Sequence, residues 1–270
     1  MLTFHNIVAG CEGGDAAAWG AFLSGYTPVI QRLTAIYLPT ANNPDDLWKD
    51  TLRAVCGDHF ALLRGFDHQS EREFLVGLRA FYFDHCSSLL DPSLDTRSFP
   101  EPSIEGMASL MKGVPLVHQE VLFLKLAGYS GATLEKIFRI TPAVAQSSLE
   151  RLKETYSTAF ENQTDHGLRP AAWLKLLRGL HAAQSEACPP LRLFVRIQDG
   201  QIGWNEKDPA ENHIAGCLHC LERWTALREL AYWRRAVEPK SQAEVEEFLS
   251  VLPVQDTAKK SKPFFKRIFG

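Results

Sequence analysis

The 270-residue chain has a formal net charge of −3, so a strongly basic nucleic-acid surface spread over the whole molecule is excluded. Its length suits two or three small domains rather than one core, and the apolar and charged fractions, 45% and 23%, are those of a soluble globular protein. Six cysteines make no disulfide framework at this length, and no run of eighteen apolar residues marks a membrane span.

Residues 1–90 carry helical patterning with few β-branched runs, and predict a bundle of about four helices. Ile7, Val8, Ala9, Gly10 and Cys11 spell a lipoprotein-like box, but no basic residue precedes it, and the chain reads as uncleaved and cytoplasmic. Asp15 is an expected N-cap, with Trp19, Phe22, Leu23 and Tyr26 inward. Pro28 is expected to start a second helix carrying Val29, Ile30, Leu33 and Ile36. A Pro-Asp-Asp start at Pro44 opens a third helix with Leu47, Leu52, Val55 and Cys56 as its stripe, and a fourth runs through Phe74 and Tyr82.

Residues 91–106, rich in Pro, Ser and Asp, read as a linker. In 107–162 Pro115 opens a helix, Gly128 closes it, and Leu134, Ile137 and Phe138 line a second. Thr141 caps a third helix with Pro142 at its first position, giving a helix-turn-helix. Val144, Leu149, Leu152 and Tyr156 are its expected inner face. That leaves Gln146, Ser147, Arg151 and Lys153 for a DNA groove, with Glu150 repelling phosphate. Use of this motif for packing or protein contact alone is the competing reading. A linker helix over 163–184 carries Trp173, Leu176, Leu177 and Leu180 on one side.

Residues 185–237 hold the densest chemistry. His213, Cys217 and Cys220, spaced by four and three, share one face of a single expected helix, with Ile214, Leu221, Trp224, Leu227 and Leu230 as the neighbouring apolar stripe. Cys188, before two prolines at a helix junction, is the expected fourth ligand. Three thiolates and one imidazole close a structural, tetrahedral Zn2+ site; a bare dithiol is the bland alternative. His181 and His219 are reserve ligands, and His219, pointing off the cysteine face, reads as a solvated surface residue. Residues 238–270 give a short amphipathic helix and a tail in which five cations mix with Phe264, Phe265, Ile268 and Phe269, suited to solubility, a partner groove or anionic lipid.

Cys188 followed by the H-x3-C-x2-C of His213, Cys217 and Cys220 resembles the zinc-binding anti-sigma domain, whose members hold sigma factors inactive. The units ahead of it resemble regions 2 and 4 of extracytoplasmic-function sigma factors. For region 2 the matches are Gly14, Asp15 and Trp19, the Tyr26 and Pro28 pair, and the helix opened by Asp46 and Leu47; for region 4, the wording of 117–156. The resemblance implies an all-α protein with RNA polymerase held through Asp46, Leu47 and Asp50 and promoter DNA through the third helix of the helix-turn-helix. Two departures stand out. Lys49 and Asp50 replace the family's Gln and Glu, and His85, Cys86, Ser87 and Ser88 stand where sigma factors carry arginines, removing phosphate affinity. The expected function is a sigma-like transcription regulator restrained by its own zinc module; the alternative is an interaction adaptor that has lost promoter recognition. No Gly-rich phosphate loop, HExxH or activated nucleophile supports an enzyme.

Overall fold

The computed structural model describes residues 3–39, 41, 43–65, 70–89, 103–155 and 170–253, with side chains omitted at 58–61, 65, 151–155, 170 and 171. Every regular element among them is a helix, as expected for an all-α chain, and none is long and apolar enough to cross a membrane. The basic tail lies outside the described residues.

The first four helices are α1 (Phe4–Glu12), α2 (Ala16–Tyr37), α3 (Pro44–Gly65) and α4 (Glu71–Leu89). Asp15 caps α2 through the amides of Ala17 and Ala18, which satisfies two of the donors a helix start leaves open. Gly14, with φ of 72°, supplies the left-handed turn that brings α1 back to it. Trp19, Phe22, Leu33, Leu52, Val55 and Phe74 are all fully buried, and the Trp19 indole N–H donates to the Cys11 carbonyl at 3.1 Å. Trp48 and Thr51 are buried on α3 as well; the Trp48 indole donates to Thr27 at 3.0 Å.

Pro28 does not begin a helix. It lies inside α2, which runs unbroken for 22 residues. A proline has no N–H for the carbonyl four residues back, and that carbonyl, of Ser24, accepts instead from the Lys240 amide at 2.9 Å. The Ser24 hydroxyl donates back to the Lys240 carbonyl at 2.8 Å. A distant segment thus satisfies the acceptor that proline left free, and the continuous helix survives.

A helix α5 (Ile104–Met111) starts inside the expected linker, capped by Ser103. Three more follow as α6 (Leu116–Leu126), α7 (Gly131–Phe138) and α8 (Pro142–Thr155). Gly128, at φ 108°, makes the α6–α7 turn, and Thr141 caps α8 through the Val144 amide. The inner face of α8 differs from expectation: Ala145 and Ser148 are buried while Val144 and Leu149 are half-buried. Small residues let α8 approach α6 closely, and Ser148 hydrogen bonds to His118 on α6. The Leu152 side chain and Tyr156 fall outside the described residues.

The remaining helices are α9 (Pro170–Ala182), α10 (Leu191–Gln198), α11 (Trp204–Gly216), α12 (Leu218–Ala236) and α13 (Gln242–Leu249). α9 buries Trp173, Leu176, Leu177 and Leu180 and packs chiefly along α4. α12 is the centre of the molecule, in contact with α2 and α4 on one side, α6 and α7 on another, and α9 to α11 besides. α13, closed by a Ser241–Glu244 capping box, lies on α2.

Candidate metal centre and buried ion cluster

Cys188, His213, Cys217 and Cys220 form a group that can hold a metal ion, with one ligand atom from each lying within 4.8 Å of the others. The Cys188 and Cys217 sulfurs are 3.9 Å apart, close to the ~3.8 Å edge of a tetrahedron built on zinc–sulfur bonds of about 2.3 Å. The Nε2 atom of His213 is buried with no hydrogen-bond partner. An orphaned imidazole nitrogen beside three thiols is the donor set such an ion requires.

The backbone that presents these ligands is not the single helix expected. α11 ends at Gly216, and Cys217 is extended, with φ −126° and ψ 110°, before α12 starts at Leu218. His213 is therefore on the last turn of α11, Cys217 in the junction and Cys220 on the first turn of α12. Gly216, a poor helix residue, makes the break cheap. The break lets three ligands converge rather than line up along a cylinder. Cys188 arrives from the turn before Pro189 and Pro190, its amide bonded to the Ser185 carbonyl at 3.0 Å.

Burial pushes the Cys188 thiol up, but the Ser185 hydroxyl and amide, with His213 and Cys220, bring it down to about 6. Burial and the neighbouring thiols push Cys220 well up. Metal binding at such a set therefore displaces protons, Cys220's among them, and its affinity falls with falling pH.

Neither reserve histidine joins the group. His219 is buried rather than solvated, 5% exposed, with Nδ1 2.8 Å from the Leu180 carbonyl. The kink at Cys217 turns it inward. His181 lies 2.9 Å from Asp84 and 3.5 Å from Glu222.

That pair opens onto a buried ion cluster that patterning gives no hint of. Arg79 of α4 is 1% exposed and pairs with Glu222 and Glu229 of α12, the latter at 2.7 Å. It also donates to the Tyr37 hydroxyl at 2.9 Å. Tyr37 of α2 donates to Glu229 at 2.7 Å, and Tyr129 from the α6–α7 turn donates to the same carboxylate at 2.5 Å. The Trp233 indole donates to Tyr129 at 2.8 Å. On the same helix, the Trp224 indole and the Arg228 guanidinium both reach Glu120 of α6, Arg228 at 2.9 Å. Burial raises Glu222, but Arg79 and His181 outweigh it and hold the carboxyl down to about 2. Burial lowers His181, yet Glu222 and Asp84 lift it to about 9. For Glu120 burial wins over Arg228 and Trp224, and its carboxyl rises to about 7.

Elsewhere, Asp46 and Asp50 are exposed at the start of α3 and Leu47 is half-buried. Asn43 bonds Asp46 at 2.6 Å, and Arg53 pairs with Asp50. Lys49 between them pairs with Glu247 of α13 and lies over the Phe248 ring. On α8, Gln146 and Ser147 are exposed, and Gln146 donates to Glu150 at 3.1 Å. Arg151 and Lys153 sit on the same helix, but their side chains fall outside the described residues. On α4, Cys86 is buried.

Fold and site together define an all-helical protein with a Cys3His group able to hold a metal ion. No protein-family model, no curated protein and no solved structure matches the chain.

Proposed function

We propose that this chain is a sigma-factor-like transcription regulator whose own zinc-binding unit restrains it. In this reading α1–α4 and α5–α8 are the units that meet RNA polymerase and promoter DNA, through Asp46, Leu47 and Asp50 and through Gln146, Ser147, Arg151 and Lys153. Zn2+ at the Cys3His group fixes the start of α12. The observation that carries the reading is the position of α12: it starts at the metal ligands and is buried between α2 and α4 on one side and α6 and α7 on the other. α13 adds to this, since its Glu247 and Phe248 engage Lys49, which lies between the expected polymerase contacts Leu47 and Asp50.

A restraint fused in the same chain acts at an effective concentration on the order of millimolar for a short tether, so a modest interface stays closed. Four protein ligands leave zinc no open position for water, which makes it structural rather than catalytic.

The adaptor alternative is favoured by one observation: His85, Cys86, Ser87 and Ser88 end α4 without an arginine, and Cys86 is turned into the core. A gel shift on promoter DNA with core polymerase present separates the two. A regulator gives a polymerase-dependent shift that grows when the chain is stopped before Ser185. An adaptor binds its protein partner and shifts nothing.

A further inference from the structure

The four most deeply buried charged side chains among the described residues are Glu229, Arg79, Glu222 and Glu120, none more than 3% exposed. All four lie where α12 meets α2, α4 or α6. Glu222, Ala226, Glu229 and Trp233 repeat at steps of four, three and four, so they form one row along α12. By contrast, the core between α1, α2 and α3 is filled by Trp19, Phe22, Leu33, Leu52 and Val55.

These two kinds of contact respond differently to water. Opening an apolar core exposes hydrocarbon with no compensation. Opening the α12 seam also exposes Leu221, Trp224, Leu227 and Leu230, but it rehydrates a guanidinium, three carboxylates and two tyrosine hydroxyls, which offsets part of the cost. An open cleft of about 140 Å³ marks the surface edge of this seam between α4 and α12, with Glu71, Arg72, Arg234 and Arg235 around Leu75, Leu227 and Leu230.

We propose that the polar row is a parting plane, along which α12 separates from α2, α4 and α6 while the apolar core of α1–α3 remains folded. Glu229 is its key residue, because its one carboxylate ties α12 to Arg79 of α4, Tyr37 of α2 and Tyr129 of the α6–α7 turn at once. Hydrogen bonds fix the register when closed, and water takes them over when open. This rests on the proposed regulatory role for its biological purpose, whereas the opening itself is measurable without polymerase or DNA.

The test uses the full, zinc-loaded chain carrying Ala226→Cys, a small change at a fully buried position within the row. Iodoacetamide labelling is followed thiol by thiol by mass spectrometry, with native Cys11, also fully buried, reporting the N-terminal core. The introduced thiol should react at least about tenfold faster than Cys11, as expected for a sub-global opening. Adding Glu229→Ala should quicken it further and leave Cys11 unchanged. Replacing the whole triad, by Arg79→Met, Glu222→Leu and Glu229→Leu with Tyr37→Phe and Tyr129→Phe, should slow it, because an apolar replacement that strands no buried charge closes such a seam. A single rate shared by both thiols, or a seam thiol quickened by the apolar triad, would overturn the proposal, and the unaltered background decides the first point even where a variant fails to fold. Selective opening in a chain whose Glu229→Ala form gains no affinity for polymerase keeps this inference and removes the proposed function. A common rate removes this inference whatever polymerase does.

Discussion

The N-terminal core and the α12 seam bury side chains equally well, but to its apolar contacts, Leu221, Trp224, Leu227 and Leu230, the seam adds a charged row that the core lacks. Phe22, Leu33 and Val55 are closed off by area and shape alone; Arg79, Glu222 and Glu229 are closed off only because each meets a partner from another helix. The first arrangement is indifferent to partners and resists opening. The second specifies which helix lies where, and contributes little stability beyond an apolar contact of the same size.

The heaviest blow to this contrast is removal of the proposed zinc. Cys217→Ser with Cys220→Ser should abolish one equivalent of bound zinc and unfold the start of α12, a loss on the order of 10 kcal/mol of apparent folding energy. Atomic emission with circular dichroism reads both, and stoichiometric metal in that variant would sink the site. Next comes the core: Phe22→Ala should cost about 3–5 kcal/mol in urea unfolding. Replacing the buried triad whole, by Arg79→Met, Glu222→Leu and Glu229→Leu with Tyr37→Phe and Tyr129→Phe, should leave stability unchanged or raise it by about 1–4 kcal/mol, so the sign, rather than the size, separates seam from core.

Acidity probes the same seam from three directions. His181, lifted from 6.5 to about 9 in the folded chain, stabilises fully below pH 6.5 and loses that contribution as pH rises through 9. Glu222, held near 2, contributes above its ordinary 4.5 and loses it as pH falls toward 2. Glu120 behaves in the opposite sense to Glu222. Raised from 4.5 to about 7, it favours the fold at low pH and loses that as pH rises through 7. Denaturation of Glu120→Gln across pH should therefore show the slope between 4.5 and 7 gone and the His181 slope kept. The smallest expected effect is on the proposed DNA face: Arg151→Ala with Lys153→Ala should reduce the salt slope of promoter binding by about one for each phosphate that the variant leaves unneutralised.

The metal group is legible because its ligand spacings, four and three, bring side chains together whether the backbone is one helix or a kinked pair. Its backbone is not, since Gly216 permits a break without announcing one, and the phase of an unbroken helix sends His219 to solvent. Pro28 misleads in a related way. Local rules make it a helix start, and only the Lys240 amide, more than two hundred residues on, lets α2 continue through it. The caps at Asp15 and Thr141 are readable because capping is decided within three residues. The seam is invisible for the converse reason. On any helical wheel Glu222 and Glu229 belong to the wet side, and the fact that reverses this, Arg79 lying 143 residues from Glu222, is tertiary.

The claim that joins site, seam and function is that α12 governs how available the rest of the chain is to polymerase. It is tested most directly by the affinity of zinc-loaded full-length chain for core RNA polymerase, with and without Glu229→Ala. A tenfold or greater tightening on loosening the seam is predicted, about 1.4 kcal/mol; equal affinity of the two chains, with the Ala226→Cys thiol opening in both, would contradict it.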